Sequence, residues 1–150
     1  MVNYNYSSMN SCKVSFYECP AHFPFCLARH SWIVIHEWSL CSRYEVLWKK
    51  DGRRNSHIFV NAFEMTQGIN RIPFIKNKFF SKSSFIGSID WEIAKQMISV
   101  IKESVEIYPY KSIYKFTWPN SNTYTQWVLD KTKHSPLKLS WNAFWKSFIV

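Results

Sequence analysis

Two stretches of strand-forming sequence, set close together, constrain this chain more than any other feature. Ser31 to Trp38 is β-branched or aromatic at most positions, the composition that suits a pleated, buried surface. Its even-numbered residues are Trp32, Val34, His36 and Trp38, and its odd-numbered ones include Ile33 and Ile35. Because successive side chains alternate between faces, both faces are apolar, and the strand should be covered on both sides. Arg43 to Lys50 follows, with Tyr44, Val46 and Trp48 alternating against Arg43, Glu45 and Leu47. The short connection Ser39 to Ser42 makes the pair a β-hairpin.

The remaining elements gather around that hairpin. Residues 1–28 read as an irregular lead-in with one short strand, Lys13 to Tyr17. Asp51 to Ser56 contains Gly52 and reads as a turn. His57 to Phe63 reads as a third strand. Ile72 to Phe80 reads as a fourth, confined to an edge by Pro73 and its lysines. Asp90 stands at an N-cap position with Glu92 in the first turn, and Ala94, Met97, Ile98, Ile101 and Val105 recur at helical spacing to about Ile107. Tyr108-Pro109 ends that helix, because the residue before a proline is driven out of the α region. Ser112 to Trp118 reads as extended. Pro119-Asn120-Ser121-Asn122 opens a second helix with Tyr124, Trp127 and Val128 on one face, and Asn142 to Phe148 reads as a short helix or strand. No linker or repeat interrupts 150 residues, so a single domain 1–150 is expected. Its class is α+β, an antiparallel sheet packed against two or three helices.

Composition excludes several functions. Only 3 residues are Gly, and no glycine-rich phosphate loop occurs. Nineteen Lys and Arg against 10 Asp and Glu give a formal charge of +9, which attracts polyanions nonspecifically. No helix-turn-helix, zinc-finger or ribonucleoprotein motif accompanies the charge, so nucleic acid is expected as a nonspecific partner. The polar start of the chain has no apolar signal region, and no run is long enough to span a bilayer. The expectation is a cytoplasmic protein without a transmembrane segment, signal-free export remaining open. Cys12, Cys19, Cys26 and Cys41 are then reduced thiols. Cys19, His22, Cys26 and His30 have the side chains of a zinc site, but their spacing fits no common zinc module. No metal and no cofactor are expected.

Three segments carry a resemblance. The first is His30-Ser31-Trp32 followed by Arg43-Tyr44-Glu45. The second is Tyr108-Pro109-Tyr110 followed by Trp118-Pro119-Asn120-Ser121-Asn122-Thr123-Tyr124. The third is Asn142 to Phe148. In this order they resemble an uncharacterised bacterial family, a domain of unknown function, with an H-x-W strand, an R-Y-E strand and a W-P-G-P-N-S-N-T-F segment. The likeness runs from about residue 29 to the C-terminus. It is weak over 51–88, and the Gly-Pro of the last segment is missing here. More distantly, the order is similar to that of circularly permuted papain-like proteins, the NlpC-like and lecithin retinol acyltransferase-like groups. In those a strand histidine comes first, a polar orienter follows on the next strand, and a cysteine nucleophile comes late at a helix N-terminus. Ser121 stands where that cysteine would be.

That resemblance implies an acyl hydrolase or transferase acting on an amide, peptide or lipid ester. Ser121 would be the nucleophile, His30 the base, and backbone amides near Asn120 to Asn122 the oxyanion donors. A serine, unlike a cysteine, needs a well-oriented base. Glu45 is the orienter by resemblance. If the hairpin connection centres between Leu40 and Cys41, however, His36 faces Glu45, His30 faces Asp51, and Glu45 lies roughly 20 Å along the strand from His30. In that register His36 and Glu45 form a structural pair. Trp32, Tyr44, Trp118, Asn120, Asn122 and Tyr124 are the candidate binding residues, the aromatics lining a cleft or belonging to the core. The rival reading is a noncatalytic papain-like binding module, for a polyanion or nucleic acid among other partners. In it Asn120 or Ser121 simply caps its helix.

Overall fold

The computed structural model describes residues 12–21, 27–51, 54–69, 82–132 and 136–144. Five strands and two helices follow in the order β1 (Cys12–Pro20), β2 (Arg29–Glu37), β3 (Leu40–Asp51), β4 (Arg54–Val60), β5 (Ser84–Asp90), α1 (Trp91–Ile107) and α2 (Ser121–Lys131). The strands form one antiparallel sheet in the order β4-β3-β2-β1-β5. This is the expected α+β class. Strand β2, whose Trp32–Ile35 run is apolar on both faces, is the central strand, where both faces are covered.

Strand alternation sorts the side chains into two layers. Val14, Phe16, Ile33, Ile35, Tyr44 and Val46 face α1 and α2 and join Met97, Ile101, Tyr124 and Val128 in the main core. The other face carries Cys19, Trp32 and Val34, packed with Tyr17, Met65 and Ile69. Residues 61–69 cross this second face. Trp32 Nε1 donates to the Met65 carbonyl at 2.8 Å, which satisfies the indole and fixes the crossing. The C-terminal segment closes the helix side, with Leu139 and Ala143 in the core. Leu137 lies against Gly87 on β5, where an added Cβ would meet its Cδ2 at 2.5 Å. A larger residue there would have to displace the tip of the Leu137 side chain.

Several expectations need correction. The short strand read at Lys13 to Tyr17 is present but longer, as the nine-residue β1 paired on both edges, so the lead-in is less irregular than expected. Strand β5 was not anticipated, because Ser84, Gly87 and Ser88 interrupt its apolar pattern. Ser112 to Trp118 forms no strand. The fourth-strand reading, Ile72 to Phe80, lies outside the described residues, as does the chain beyond Phe144. Asp90 occupies the N-cap of α1, but its side chain makes no capping hydrogen bond. Most consequential is the β2–β3 register. Glu37 pairs with Leu40, so the turn is only Trp38 and Ser39, and His36 lies opposite Cys41 rather than Glu45. The turn is short because Trp38 adopts φ 59°, the left-handed geometry that tight hairpins demand and that bulky residues rarely supply.

Candidate functional site

The site is built where the start of β2 meets β3. His30 and Trp32 share the face of β2 that turns away from the helices, and Arg43 and Glu45 share the same face of β3. The i, i+2 spacing of each pair is what strand alternation requires. His30 Nε2 lies 3.0 Å from Glu45 Oε2. Arg43 Nη2 donates to the same oxygen at 2.9 Å, and its Nε stands 2.8 Å from Oε1, paired in charge though not aligned as a hydrogen bond. Arg43 also donates from Nη1 to the carbonyls of Glu64 and Gln67 at 2.7 and 2.5 Å. Its guanidinium lies 4.1 Å from the Trp32 ring centroid, and the His30 ring stacks on Trp32 at 6.1 Å. Arg43 and Glu45 are 0% exposed and His30 is 3% exposed.

A carboxylate so deeply buried survives ionised only with partners. Burial would push the Glu45 carboxyl up, but hydrogen bonds and charge from His30 and Arg43 outweigh it and hold it below the usual range. Arg43 balances the Glu45 charge, so toward His30 the carboxylate mainly fixes ring orientation. With Nε2–H donated to Glu45, Nδ1 is the nitrogen left to accept a proton. Glu45 is therefore the residue that orients His30. Asp51 instead pairs in register with Arg54 on β4. The strands that were expected to hold Glu45 far from His30 bring it into contact, because the turn is centred two residues earlier.

The N-terminus of α2 docks on the opposite face of the sheet, against the strand segment that carries His30. Asn120 is the cap: its Oδ1 accepts from the amides of Asn122 and Thr123, and Thr123 Oγ1 accepts from the Asn120 amide at 3.1 Å. This reciprocal capping box leaves Ser121 at the first helical position with its hydroxyl free of the cap. Asn122 clamps the helix to the sheet. Its Nδ2 donates to the Arg29 carbonyl at 2.9 Å and to the Phe144 carbonyl at 3.2 Å, and its Oδ1 accepts from Ser31 Oγ at 3.0 Å. Ser31 Oγ also lies 2.9 Å from Thr125 Oγ1. The helix thus grips the strand at Arg29 and Ser31, the residues on either side of His30.

The remaining candidates divide between the two layers. Trp32 belongs with His30. Tyr44 and Tyr124 lie on the helix side of the sheet, where Tyr124 Oη bonds Ser104 at 2.9 Å. Trp118 packs edge-on against Tyr110 at 4.7 Å. Asn120 and Asn122 hold the backbone. Ser121 is buried, and among the described residues no hydrogen bond joins it to His30. Cys19 lies directly opposite His30 on β1. His22 and Cys26 of the same string lie outside the described residues, and among the described residues no group of three His, Cys, Asp or Glu could hold a metal ion. The sequence reading undervalued Arg43 and Ser31. The signal was present in R-x-E and H-S-W, since alternation puts Arg43 beside Glu45 and turns Ser31 toward the helix.

The matched segments now stand in a spatial order, and a family comparison covers nearly all of them. Residues 11–148 match the family described as a protein of unknown function, DUF3750. The chain belongs to that family. No curated protein and no solved structure matches it. This DUF3750 chain carries a buried Arg–Glu–His group on one face of the sheet and a capped helix N-terminus on the other. No helix among its described residues is long and apolar enough to cross a membrane.

Proposed function

We propose that this DUF3750 protein is an acyl-group hydrolase or transferase, with Ser121 as nucleophile, His30 as base and Glu45 as the group that orients the imidazole. The carrying observation is the buried 3.0 Å contact between His30 Nε2 and Glu45 Oε2, with α2 fastened across the sheet to Arg29 and Ser31, the sequence neighbours of His30. Ser121 Oγ attacks the carbonyl carbon of an amide or ester, and its proton passes to His30 Nδ1, which requires the imidazole to leave the face of the sheet that it occupies here, away from α2. The tetrahedral intermediate collapses, and the leaving group departs with that proton. The cap occupies the amides of Asn122 and Thr123, so the Ser121 amide is the oxyanion donor this turn supplies, aided by the positive end of the helix. The resemblance to permuted papain-like proteins supports this assignment of roles. Water or a second nucleophile then receives the acyl group.

A fluorophosphonate probe tests the reading. It should label Ser121, lose that label in Ser121→Ala, and label at least ~100-fold more slowly in His30→Ala. Equal labelling of the parent and Ser121→Ala would sink the proposal. A noncatalytic binding module is the second reading. It is favoured by Ser31, rather than His30, turning toward α2. In that case the probe labels nothing, and Asn122→Ala loosens the fold while touching no reaction.

A further inference from the structure

The opposite end of the sheet carries a second constellation, remote from His30. Cys41 Sγ lies 3.1 Å from His36 Nδ1, and Ser15 Oγ lies 3.2 Å from His36 Nε2. Register places Cys41 directly opposite His36 on neighbouring strands. Cys41 is exposed, His36 is half-buried and Ser15 is buried. A nucleophile, a base within hydrogen-bond reach and a third group orienting the base are the parts an activated thiol requires.

The bonds fit one direction of proton flow. With Ser15 Oγ accepting from Nε2–H, Nδ1 is the bare nitrogen and accepts the Cys41 proton. After transfer both ring N–H groups donate, to the sulfur and to Ser15, and neither bond must be redirected. The charged groups facing His36 are Lys13, its direct neighbour on β1, and Asp90, which pairs with Lys13 from β5. Burial first, then Lys13, lower the imidazole below its ordinary value, and Asp90 opposes them. The ring is thus neutral and ready to accept near neutral pH.

We propose that Cys41 is a reactive thiol that forms a mixed disulfide with a small-molecule disulfide, and that His36 takes its proton. The Cys41 sulfur attacks one sulfur of the small disulfide. A new S–S bond forms and the old one breaks. The departing thiolate leaves with the bonding electron pair and receives the proton held on His36. Cys41 is oxidised, half of the small disulfide is reduced, and one thiol is released per chain. An internal disulfide does not compete among the described cysteines. Cys12 sits two strands away on the helix side, about 10 Å distant by strand spacing. Cys19 lies six residues along β1 from Lys13, the residue opposite His36, about 20 Å at strand rise. With respect to the described cysteines the product stays a mixed disulfide, reversible by a reductant.

The test uses the full reduced chain and glutathione disulfide at pH 7.5, with peptide mass mapping over time. Cys41 should be modified first, roughly tenfold faster than Cys12 and roughly tenfold faster than the same thiol in urea-unfolded chain, with dithiothreitol reversing it. His36→Gln should remove most of that advantage, and Ser15→Ala a smaller part. A folded-chain rate no greater than the unfolded rate would overturn the proposal. So would an unchanged rate in folded His36→Gln. Should that variant fail to fold, the comparison of folded and unfolded parent chain decides alone.

Discussion

Arg43 is the residue on which most of the second face depends. It donates to Glu45 and to the carbonyls of Glu64 and Gln67, and it lies over Trp32. Removing it leaves a carboxylate with 0% exposure short of its main counter-charge. Arg43→Met should therefore cost about 3–5 kcal/mol, read as a lower urea midpoint. Arg43→Met with Glu45→Leu should recover part of that loss, since no buried charge then lacks a partner. The acid dependence follows the same group. Because the Glu45 carboxyl is held low in the folded state, its contribution is complete above the ordinary carboxyl range and fades as pH falls through the folded value. His36, also lowered, acts in the same direction: its contribution is whole above the ordinary imidazole value and declines as pH drops through that value. Urea midpoints from pH 7 to 3 should fall in two stages. The early stage should vanish in a folded His36→Gln chain, and the late one should flatten in Glu45→Gln. A pH profile unchanged by either substitution would refute the assignment.

The elements differ in how openly the sequence declared them. Helix α1 was legible because Ala94, Met97, Ile98 and Ile101 repeat at one helical face, and all four are buried. Strand β2 was legible because its apolar residues fill both faces. Strand β1 was only half legible, since Lys13, Ser15 and Glu18 dilute its pattern and their partners are distant in sequence. Glu18, for example, is bonded by Ser140, and no local rule announces that. The register failed on one residue. A two-residue turn usually advertises itself with Asn-Gly or a leading Gly, whereas here Trp38 takes φ 59°. The same residue offers a test. Trp38 is 67% exposed, so little packing rewards its strained backbone. Trp38→Gly should raise stability by about 0.5–1 kcal/mol and leave the register unchanged. The capping box offers a companion: Asn120→Ala should cost about 1 kcal/mol. It should also release Ser121 from its position, lowering any probe labelling beyond what the stability loss explains.

At the scale of the whole molecule, the sheet separates two kinds of chemistry. The helix face holds the apolar core, while the opposite face holds His30 with Glu45 at one end and His36 with Cys41 at the other. The contact of His30 with Glu45 was legible only through the resemblance, and Ser121 lies across the sheet from it. The thiol site was not legible, because it depends wholly on the register. Apart from Arg43 and Lys13, the positive charge described belongs to neither site. Lys95, Lys102 and Lys111 pair with Glu92, Glu37 and Glu106, and Lys131 lies over the Trp127 ring. Exposed Lys49 stands on β3, on the other side of the sheet order from β5 and the segment carrying Lys82. Among the described residues, a charge spread in this way creates attraction without marking one binding surface. The chain should be retained on heparin and on single-stranded DNA alike at low salt, and should elute from both by about 0.3 M salt, with no preference for base sequence. Charge reversal at Lys49 or Lys82 should shift elution by small, similar steps. Retention on one DNA sequence that outlasts heparin elution, or a collapse of binding on losing one lysine, would show instead that a dedicated nucleic-acid surface exists.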